Sequence, residues 1–123
     1  MPHDDLQFQS LLGVSDLIRR RAISPVELTR ATLDRIAALE PSLHSFTTVA
    51  PELALAQAKR AETEITRGQW RGPMHGVPFA IKDLLDTKGL RTAAGTKIME
   101  NRVPNQDATV VERLEQSGSV LLG

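Results

Sequence analysis

The sequence predicts an α/β fold, with helices in the first half and the beginning of a β-sheet in the second. Residues 24–67 carry apolar side chains at helical spacing between helix-start and helix-stop signals. After Gly68 the composition shifts to glycine and proline, and the apolar runs 77–81 and 119–122 are typical of buried strands. A helical pattern lies between these runs, and strand–helix–strand order predicts parallel strands joined by a right-handed crossover.

The strongest helix-start signal is the segment Ser24–Glu27, with the sequence SPVE. The Ser24 hydroxyl can accept from the Glu27 N–H while the Glu27 carboxylate reaches back, and Pro25 occupies the first helical position, where no donor is needed. We expect this helix to end near Glu40-Pro41, because proline disfavours a helical conformation at the preceding residue. Its apolar side comprises Leu28, Leu33, Ile36 and Leu39, and its polar side comprises Glu27, Arg30 and Asp34.

Two flanking helices are predicted. The shorter one is capped by Ser15 and runs through Arg21, and the longer one runs from Pro51 to about Arg67, where Gly68 stops it. The inward stripe of the longer helix consists mainly of small residues: Ala54, Ala58, Ala61 and Ile65. The arginine run 19–21 could bind phosphate, but at a helix C-terminus it is more simply a solvated end that complements the helix dipole.

Composition restricts the classes of function. A chain of 123 residues with 15 Lys+Arg and 15 Asp+Glu forms one domain and lacks the basic surface of a direct nucleic-acid binder. The absence of cysteine excludes disulfides, thiolate metal sites and a cysteine nucleophile. No secretory signal begins the sequence, and its apolar runs are far shorter than the roughly 20 residues that cross a bilayer. We therefore expect a cytoplasmic protein without membrane contact.

Lysine follows the first predicted strand directly, at Lys82, and Asp83 comes next. Burial there would cost the ammonium its hydration and favour a neutral amine, which can act as a base. Open α/β sheets place reactive groups at the carboxyl ends of their strands. On this chemistry alone, the more common interpretation is that Lys82 leaves the sheet for water, paired with Asp83.

Other constellations point to no metal or cofactor. The glycine-rich loop 68–76 is not followed by the Lys-Ser/Thr pair of a phosphate-binding loop. His3, His44 and His75 lack metal-ligand spacing, and His75 lies in the glycine-rich loop. Asp83 and Asp86 are more often local caps than a Mg²⁺ or Ca²⁺ site, and Asp83 is expected to order the turn after the strand. Downstream, Asp107 is predicted to cap a helix over 108–117 that Gly118 ends, with Ala108, Val111 and Leu114 on one face.

Several ordered motifs resemble the amidase signature family. They are GPMHGVPFAIKD at 72–83, TKGLRT at 87–92, DATVVERL at 107–114 and GSVLLG at 118–123. The capped helix from Ser24 to Glu40 matches the family's N-terminal helices, so the resemblance covers roughly Ser15 to Gly123. It implies a mixed β-sheet covered by helices, and hydrolysis of a carboxamide C–N bond by a Ser–cis-Ser–Lys triad without a cofactor.

This resemblance makes Lys82 the catalytic candidate and reverses the interpretation given above, so we expect its amine to be buried and uncharged. It aligns with the triad lysine, which deprotonates a bridging serine that relays the proton of the nucleophilic serine. The family's serines and oxyanion-hole glycines belong to a Gly/Ser-rich signature, and no serine of this chain lies in a Gly-Gly-Ser-Ser-Gly context. The segment Thr92–Gly95 resembles the family segment that approaches the catalytic centre, and we expect it to form the floor of the site.

From the missing signature we expect residues 1–123 to be the N-terminal part of a single, truncated amidase domain that is inactive alone. Residues 1–68 would form its helical region, and residues 69–123 the first strands and crossover helix of its sheet. A strand at a cut edge would leave apolar residues of both strands without partners, so self-association or a homodimer is predicted. These residues are Val77, Phe79, Ile81, Val120, Leu121 and Leu122. The substrate of the intact enzyme would be a small-molecule amide.

Two alternatives remain at this stage. The motifs are equally similar to the glutaminase-type A subunit of the tRNA-dependent amidotransferase, in which tRNA contact can belong to another component of the complex. The other alternative, from a different class, is a stand-alone non-catalytic module that binds a partner through its helices.

Overall fold

The computed structural model describes residues 6–123. In chain order its regular elements are α1 (Leu11–Arg19), α2 (Pro25–Leu43), α3 (Pro51–Thr66), β1 (Pro78–Phe79), a 3₁₀ helix (Lys97–Met99), α4 (Thr109–Gln116) and β2 (Val120–Leu121). Helices therefore come first and a strand–helix–strand unit follows, which confirms the predicted α/β class.

Helix α2 begins as the sequence predicts and ends later. The Glu27 N–H donates to Ser24 Oγ at 3.0 Å, and the Ser24 N–H donates to Glu27 Oε2 at 2.8 Å. The expected end at Glu40-Pro41 is wrong, because the helix continues through Pro41 to Leu43. The Glu40 carboxylate accepts hydrogen bonds from Ser45 Oγ and the Phe46 N–H, both at 2.9 Å, and these bonds stabilise the last turn despite the proline.

Helix α1 differs from its prediction at both ends. Its cap is Ser10, whose Oγ accepts from the Gly13 N–H at 3.1 Å, whereas Ser15 is buried inside the helix. Since the helix ends at Arg19, Arg21 can adopt a positive φ of 60° and donate to two carbonyl oxygens at the end of α3, each at 3.2 Å. Arg20 pairs with Asp16 at 2.8 Å. Arg20 therefore has its partner on the same helix, whereas Arg21 binds the C-terminal end of a different helix, α3.

Helix α3 carries the core of the molecule. It ends one residue before the expected Arg67, and Gly68 follows with a φ of 81°. The predicted stripe is buried, and Ala54 and Ala58 pack against the second strand at Val120 and Leu122. A second apolar cluster joins α3 to the first two helices through Val14, Ile18, Ile23, Leu28, Ile65 and Val77. Leu39 of α2, predicted to face inward, is 40% exposed.

The two strands pair in parallel, as predicted, with Pro78 opposite Val120 and Phe79 opposite Leu121. The regular strands are shorter than the predicted runs, although Ile81 N–H continues the pairing to Gly123 O at 3.0 Å. On the far side of β2, Leu121 N–H donates to Gln57 Oε1 of α3 at 2.8 Å. A helix side chain thus occupies a position that another strand could take. The expectation that Val120, Leu121 and Leu122 lack partners is wrong, because all three are buried.

Helix α4 lies within the connection between the two strands, and it lacks the predicted cap. Its N-cap residue is Ala108, and no side chain caps it. The Asp107 carboxylate instead accepts from the Lys88 N–H at 2.6 Å, because the loop 84–104 passes beside it. Gly118 ends this segment with a φ of 81°, as expected. Within the part of the chain that the structure describes, no helix is long and apolar enough to span a membrane.

Candidate active site

Lys82 lies three residues after β1, at the carboxyl end of the strand pair. Its side chain is exposed, so the expectation that this chain buries it is wrong. It lines an open recess of about 490 Å³, and residues from three different segments complete the lining. The position at the strand end is therefore as predicted, and the described residues leave the side chain in contact with solvent.

Asp83 fixes the turn that follows Lys82, as the sequence predicts. Its Oδ1 accepts from the Ala93 N–H at 3.1 Å, and its backbone carbonyl accepts from the Ala94 N–H at 2.8 Å. These two bonds bring the segment Thr92–Gly95 back to the strand end, where Ala94 and Gly95 line the recess beside Lys82. Ala94 has a positive φ of 50°, an uncommon conformation for a residue with a side chain.

The opposite wall of the recess is a feature that sequence reasoning missed. It is formed by the connection between α2 and α3, residues 45–48. A Cβ atom built on Gly123 would lie 2.1 Å from the carbonyl oxygen of Thr48, so glycine alone permits this approach. In the sequence this connection is Ser-Phe-Thr-Thr, and no motif there indicates proximity to Lys82.

The remaining acidic candidates take structural roles. Asp86 accepts two hydrogen bonds from the Arg102 guanidinium, at 2.6 and 2.7 Å, and this interaction lowers the pKa of Asp86. Across residues 6–123, no three His, Asp or Glu side chains are placed to hold a metal ion. His44 is exposed after the end of α2, and His3 lies outside the described residues.

His75 is a second residue whose role the sequence did not indicate. The ring is completely buried, and its two nitrogens contact the Arg71 N–H and the Glu64 carboxylate. Burial lowers the pKa of His75, although Glu64 opposes the shift. Burial also raises the pKa of Glu64, but hydrogen bonds from Arg71 and His75 outweigh it, and the net shift of that pKa is downward. This cluster lies at the amino end of the strand pair, whereas Lys82 lies at the carboxyl end.

The model of the Amidase family matches residues 27–123. The chain belongs to the amidase signature family. This confirms the resemblance that the motifs around Lys82 carry, and it is consistent with the strand–helix–strand arrangement.

Curated relatives of two kinds are similar to the chain. It is 44% identical over 119 residues to the A subunit of the glutamyl-tRNA(Gln) amidotransferase of Carboxydothermus hydrogenoformans, covering 97% of this chain and 24% of that protein. It is 45% identical over 123 residues to AmiD of Mycobacterium bovis, whose name places it among amidases, covering all of this chain and 26% of that protein. The chain thus spans about a quarter of the length of these relatives.

Solved structures support the same fold. The native peptide amidase from Stenotrophomonas maltophilia aligns with a TM-score of 0.88 at 32% identity, over 94% of this chain and 24% of that one. Fatty acid amide hydrolase aligns with a TM-score of 0.92 over 99% of this chain and 22% of its own, at 22% identity, which bears on the fold alone. The amidase signature fold is therefore shown for the helices and the strand pair described above.

Proposed function

We propose that this chain supplies the catalytic lysine, Lys82, of an enzyme that hydrolyses a small-molecule carboxamide. The observation that carries the proposal is the placement of Lys82 in an amidase-family chain, at the carboxyl end of a parallel strand pair and beside a recess. Residues 1–123 would then form the N-terminal part of one amidase domain, helical to about residue 68 and contributing sheet elements after it.

The proposed chemistry follows from the properties of an amine base. The nucleophilic serine gives its proton to a bridging serine, which passes its own proton to the Lys82 amine, and the serine oxygen attacks the amide carbon. The protonated Lys82 returns this proton through the bridging serine to the amide nitrogen, which leaves as ammonia or an amine and gives an acyl-enzyme. Water then attacks the acyl carbon, its proton passing along the same relay, and the nucleophilic serine is released with its proton restored. The lysine must be neutral when it accepts the proton, so the intact enzyme has to cover the exposed Lys82 side chain.

A chimera tests this assignment. Residues 1–123 replace the matching quarter of AmiD from Mycobacterium bovis, and amide hydrolysis is measured with and without Lys82→Ala. We expect the substitution to lower kcat/KM by roughly 100-fold or more, the usual contribution of a general base. Lys97→Ala, at an exposed lysine of the 3₁₀ helix, is the matched control and should leave the rate unchanged. An active Lys82→Ala chimera with an unaltered Tm would contradict the proposal.

The same assay of amide hydrolysis can be applied to the isolated chain. Without a serine in a Gly-Gly-Ser-Ser-Gly context, residues 1–123 alone should hydrolyse no amide at any concentration. Measurable turnover by the purified chain that Lys82→Ala abolishes would show that a nucleophile lies within it, and the proposed division of the triad would be wrong.

A second candidate function is that of an amidotransferase A subunit, and identities near those of the amidase relative favour it equally. Residues 1–123 can be placed in the Carboxydothermus hydrogenoformans protein for comparison with the AmiD chimera. The amidotransferase role is supported if the AmiD chimera is inactive and the amidotransferase chimera is active when combined with the other subunits of that enzyme. A stand-alone interaction module is the remaining alternative if both chimeras fold and neither functions.

Self-association of the isolated chain is also proposed. Several large apolar side chains of the second half are exposed, among them Ile98 at 95%, Val103 at 56% and Leu84 at 54%. Contact between copies would cover such a surface. Sedimentation velocity should show a weight-average coefficient that rises with concentration, whereas a constant monomer value would contradict the proposal. A cytoplasmic location stays a prediction.

A further inference from the structure

The His75 imidazole occupies a closed position where three elements meet. It is 0% exposed and lies between α3, the glycine-rich loop and the start of β2. Nδ1 lies 3.0 Å from the Arg71 backbone nitrogen, and Nε2 lies 2.9 Å from Glu64 Oε2. The indole of Trp70, the single tryptophan of the chain, is tilted beside the ring with centroids 5.6 Å apart.

These partners determine where the ring carries its hydrogen. A backbone N–H can only donate, so Nδ1 must present a lone pair to Arg71. The ring hydrogen then resides on Nε2 and is donated to the Glu64 carboxylate. A second proton would have to enter at Nδ1, where it would point at the Arg71 N–H and set donor against donor. The contact with Glu64 therefore resembles an ion pair but is made by a neutral ring.

Charges around the ring act in both directions. Glu64 of α3 favours an added positive charge, while Arg71 of the loop and Arg60 of α3 oppose it. Arg71 also binds the other oxygen of Glu64, with its Nη2 2.6 Å from Oε1, and so neutralises part of the carboxylate's attraction. Burial is the largest influence, and the net effect lowers the pKa of His75 below its ordinary value.

The ring also links the starts of both strands to α3. A Cβ built on Gly118 would lie 2.3 Å from His75 Cδ2, so the ring packs directly on the backbone that enters β2. Gly76 N–H donates to Gly118 O at 2.8 Å and joins the chain entering β1 to the same point. Arg71 Nη1 donates to Gln116 O at the end of α4, at 3.1 Å.

We propose that the cluster of Glu64, Arg71 and His75 is a proton-sensitive lock, in which neutral His75 holds the starts of β1 and β2 against α3 and protonation of its Nδ1 releases them. The folded chain then binds fewer protons than the unfolded chain near neutral pH. The stabilisation from His75 is complete above the unfolded-state value of 6.5 and is lost as the pH falls from there toward the lowered pKa.

Thermal unfolding monitored by Trp70 fluorescence tests the lock in the chain as it exists. Between pH 7.5 and pH 5.5 we expect the Tm of the wild type to fall by about 4 °C or more. His75→Gln, which retains a donor for Glu64 but cannot be protonated in this range, should lose most of that fall. His44→Asn, at an exposed histidine with a φ of 48°, is the matched control and should retain it. A wild-type Tm that is equal at the two pH values, or an equal fall in His75→Gln, would overturn the proposal.

Nitrogen-15 NMR of the imidazole keeps the proposal testable if His75→Gln does not fold. At pH 7.5 the ring of the wild type should show a protonated Nε2 and an unprotonated Nδ1, and this pattern should persist to pH 6. Resonances of an imidazolium at pH 6.5, or of a ring protonated at Nδ1 alone, would refute the assignment of the lock.

Discussion

Two halves of the molecule differ in how their backbone N–H and C=O groups find hydrogen-bond partners. They are the helical half, residues 11–66, and the sheet half, residues 76–123. In the helical half, Ser10 and Ser24 cap α1 and α2, and Arg21 binds the carbonyls that end α3. In the sheet half, each regular strand is two residues long. The far side of β2 is held by the α3 side chain Gln57.

This contrast follows from the range of the hydrogen bonds. A helix closes its bonds within four residues, whereas a strand depends on residues far away in the sequence. The helical half therefore needs little beyond its own packing, and the sheet half depends on a few contacts with α3 and on the His75 cluster. Four substitutions test this difference, and they are given in order of decreasing expected effect.

Gly118→Ala should have the largest effect on stability, because Gly118 lies where the sheet half contacts the His75 ring that joins it to α3. Its Cβ would meet the buried His75 ring at 2.3 Å, and its φ of 81° is unfavourable for alanine. Overpacking and backbone strain together should lower the free energy of unfolding by about 3 kcal/mol or more. Chemical denaturation followed by circular dichroism measures this loss.

Gly68→Ala is the control for Gly118→Ala. Gly68 has the same φ of 81°, but nothing lies within 4 Å of a Cβ built there. Gly68→Ala should therefore lower the free energy of unfolding by the backbone strain alone, about 1 kcal/mol. Equal losses in the two variants would mean that contact with His75 contributes nothing, and the junction would not be the weak point of the fold.

Ala58→Leu should have the next largest effect. Ala58 is 0% exposed on α3 and packs against β2, so three additional carbon atoms have no space. We expect a loss of about 2 kcal/mol in the free energy of unfolding. Ala56→Leu, at an exposed position of the same helix, should change stability little. If both variants are equally stable, α3 and β2 are not in close contact.

The limits of sequence-based prediction follow the same division. The capping box of α2 and the buried stripe of α3 were predictable because their signals lie within a few residues. The error at Ser15 arose because Ser10, an equally local cap signal, begins the helix earlier. The error at Pro41 arose where a local rule competed with contacts from beyond the helix, those of Glu40 with Ser45 and Phe46. Local propensity gave no means to weigh those contacts.

For the candidate site, the sequence predicted where residues lie along the chain but not what surrounds them in the fold. Motifs placed Lys82 at a strand end and Asp83 in the turn, and both positions are as expected. The exposure of Lys82 was not predictable, because burial depends on what packs over the strand end from elsewhere in the chain. The role of His75 was hidden for the same reason, since its partner Glu64 lies 11 residues earlier, on a different element.

Ser24→Ala tests the helical half and should have a smaller effect. It removes the Oγ that accepts from the Glu27 N–H at 3.0 Å, and loss of such a cap typically costs about 1 kcal/mol. Ser42→Ala, at an exposed position of the same helix, is the control and should be nearly neutral. A loss in Ser24→Ala as large as in Gly118→Ala would indicate that the helical half also depends on a single contact.

Asp86→Asn should have the smallest effect. The Asp86–Arg102 pair lies in the loop of the sheet half, with both side chains about 40% exposed, and water and salt weaken an ion pair of this kind. We expect a shift in Tm smaller than that of Ser24→Ala, and an even smaller one in about 0.5 M NaCl.

The pH dependence of this pair provides an independent measurement. Because Arg102 lowers the pKa of Asp86, the contribution of the pair is present above the ordinary value of 3.8 and is lost as the pH falls through the lowered pKa. The difference in Tm between wild type and Asp86→Asn should therefore vanish at strongly acidic pH, well below the range in which His75 titrates. A large, salt-independent difference at neutral pH would show that the loop 84–104 is held by charge rather than by its backbone bonds, such as that from Thr92 N–H to Arg102 O at 3.0 Å. In that case the sheet half would have an electrostatic support that the helical half does not need.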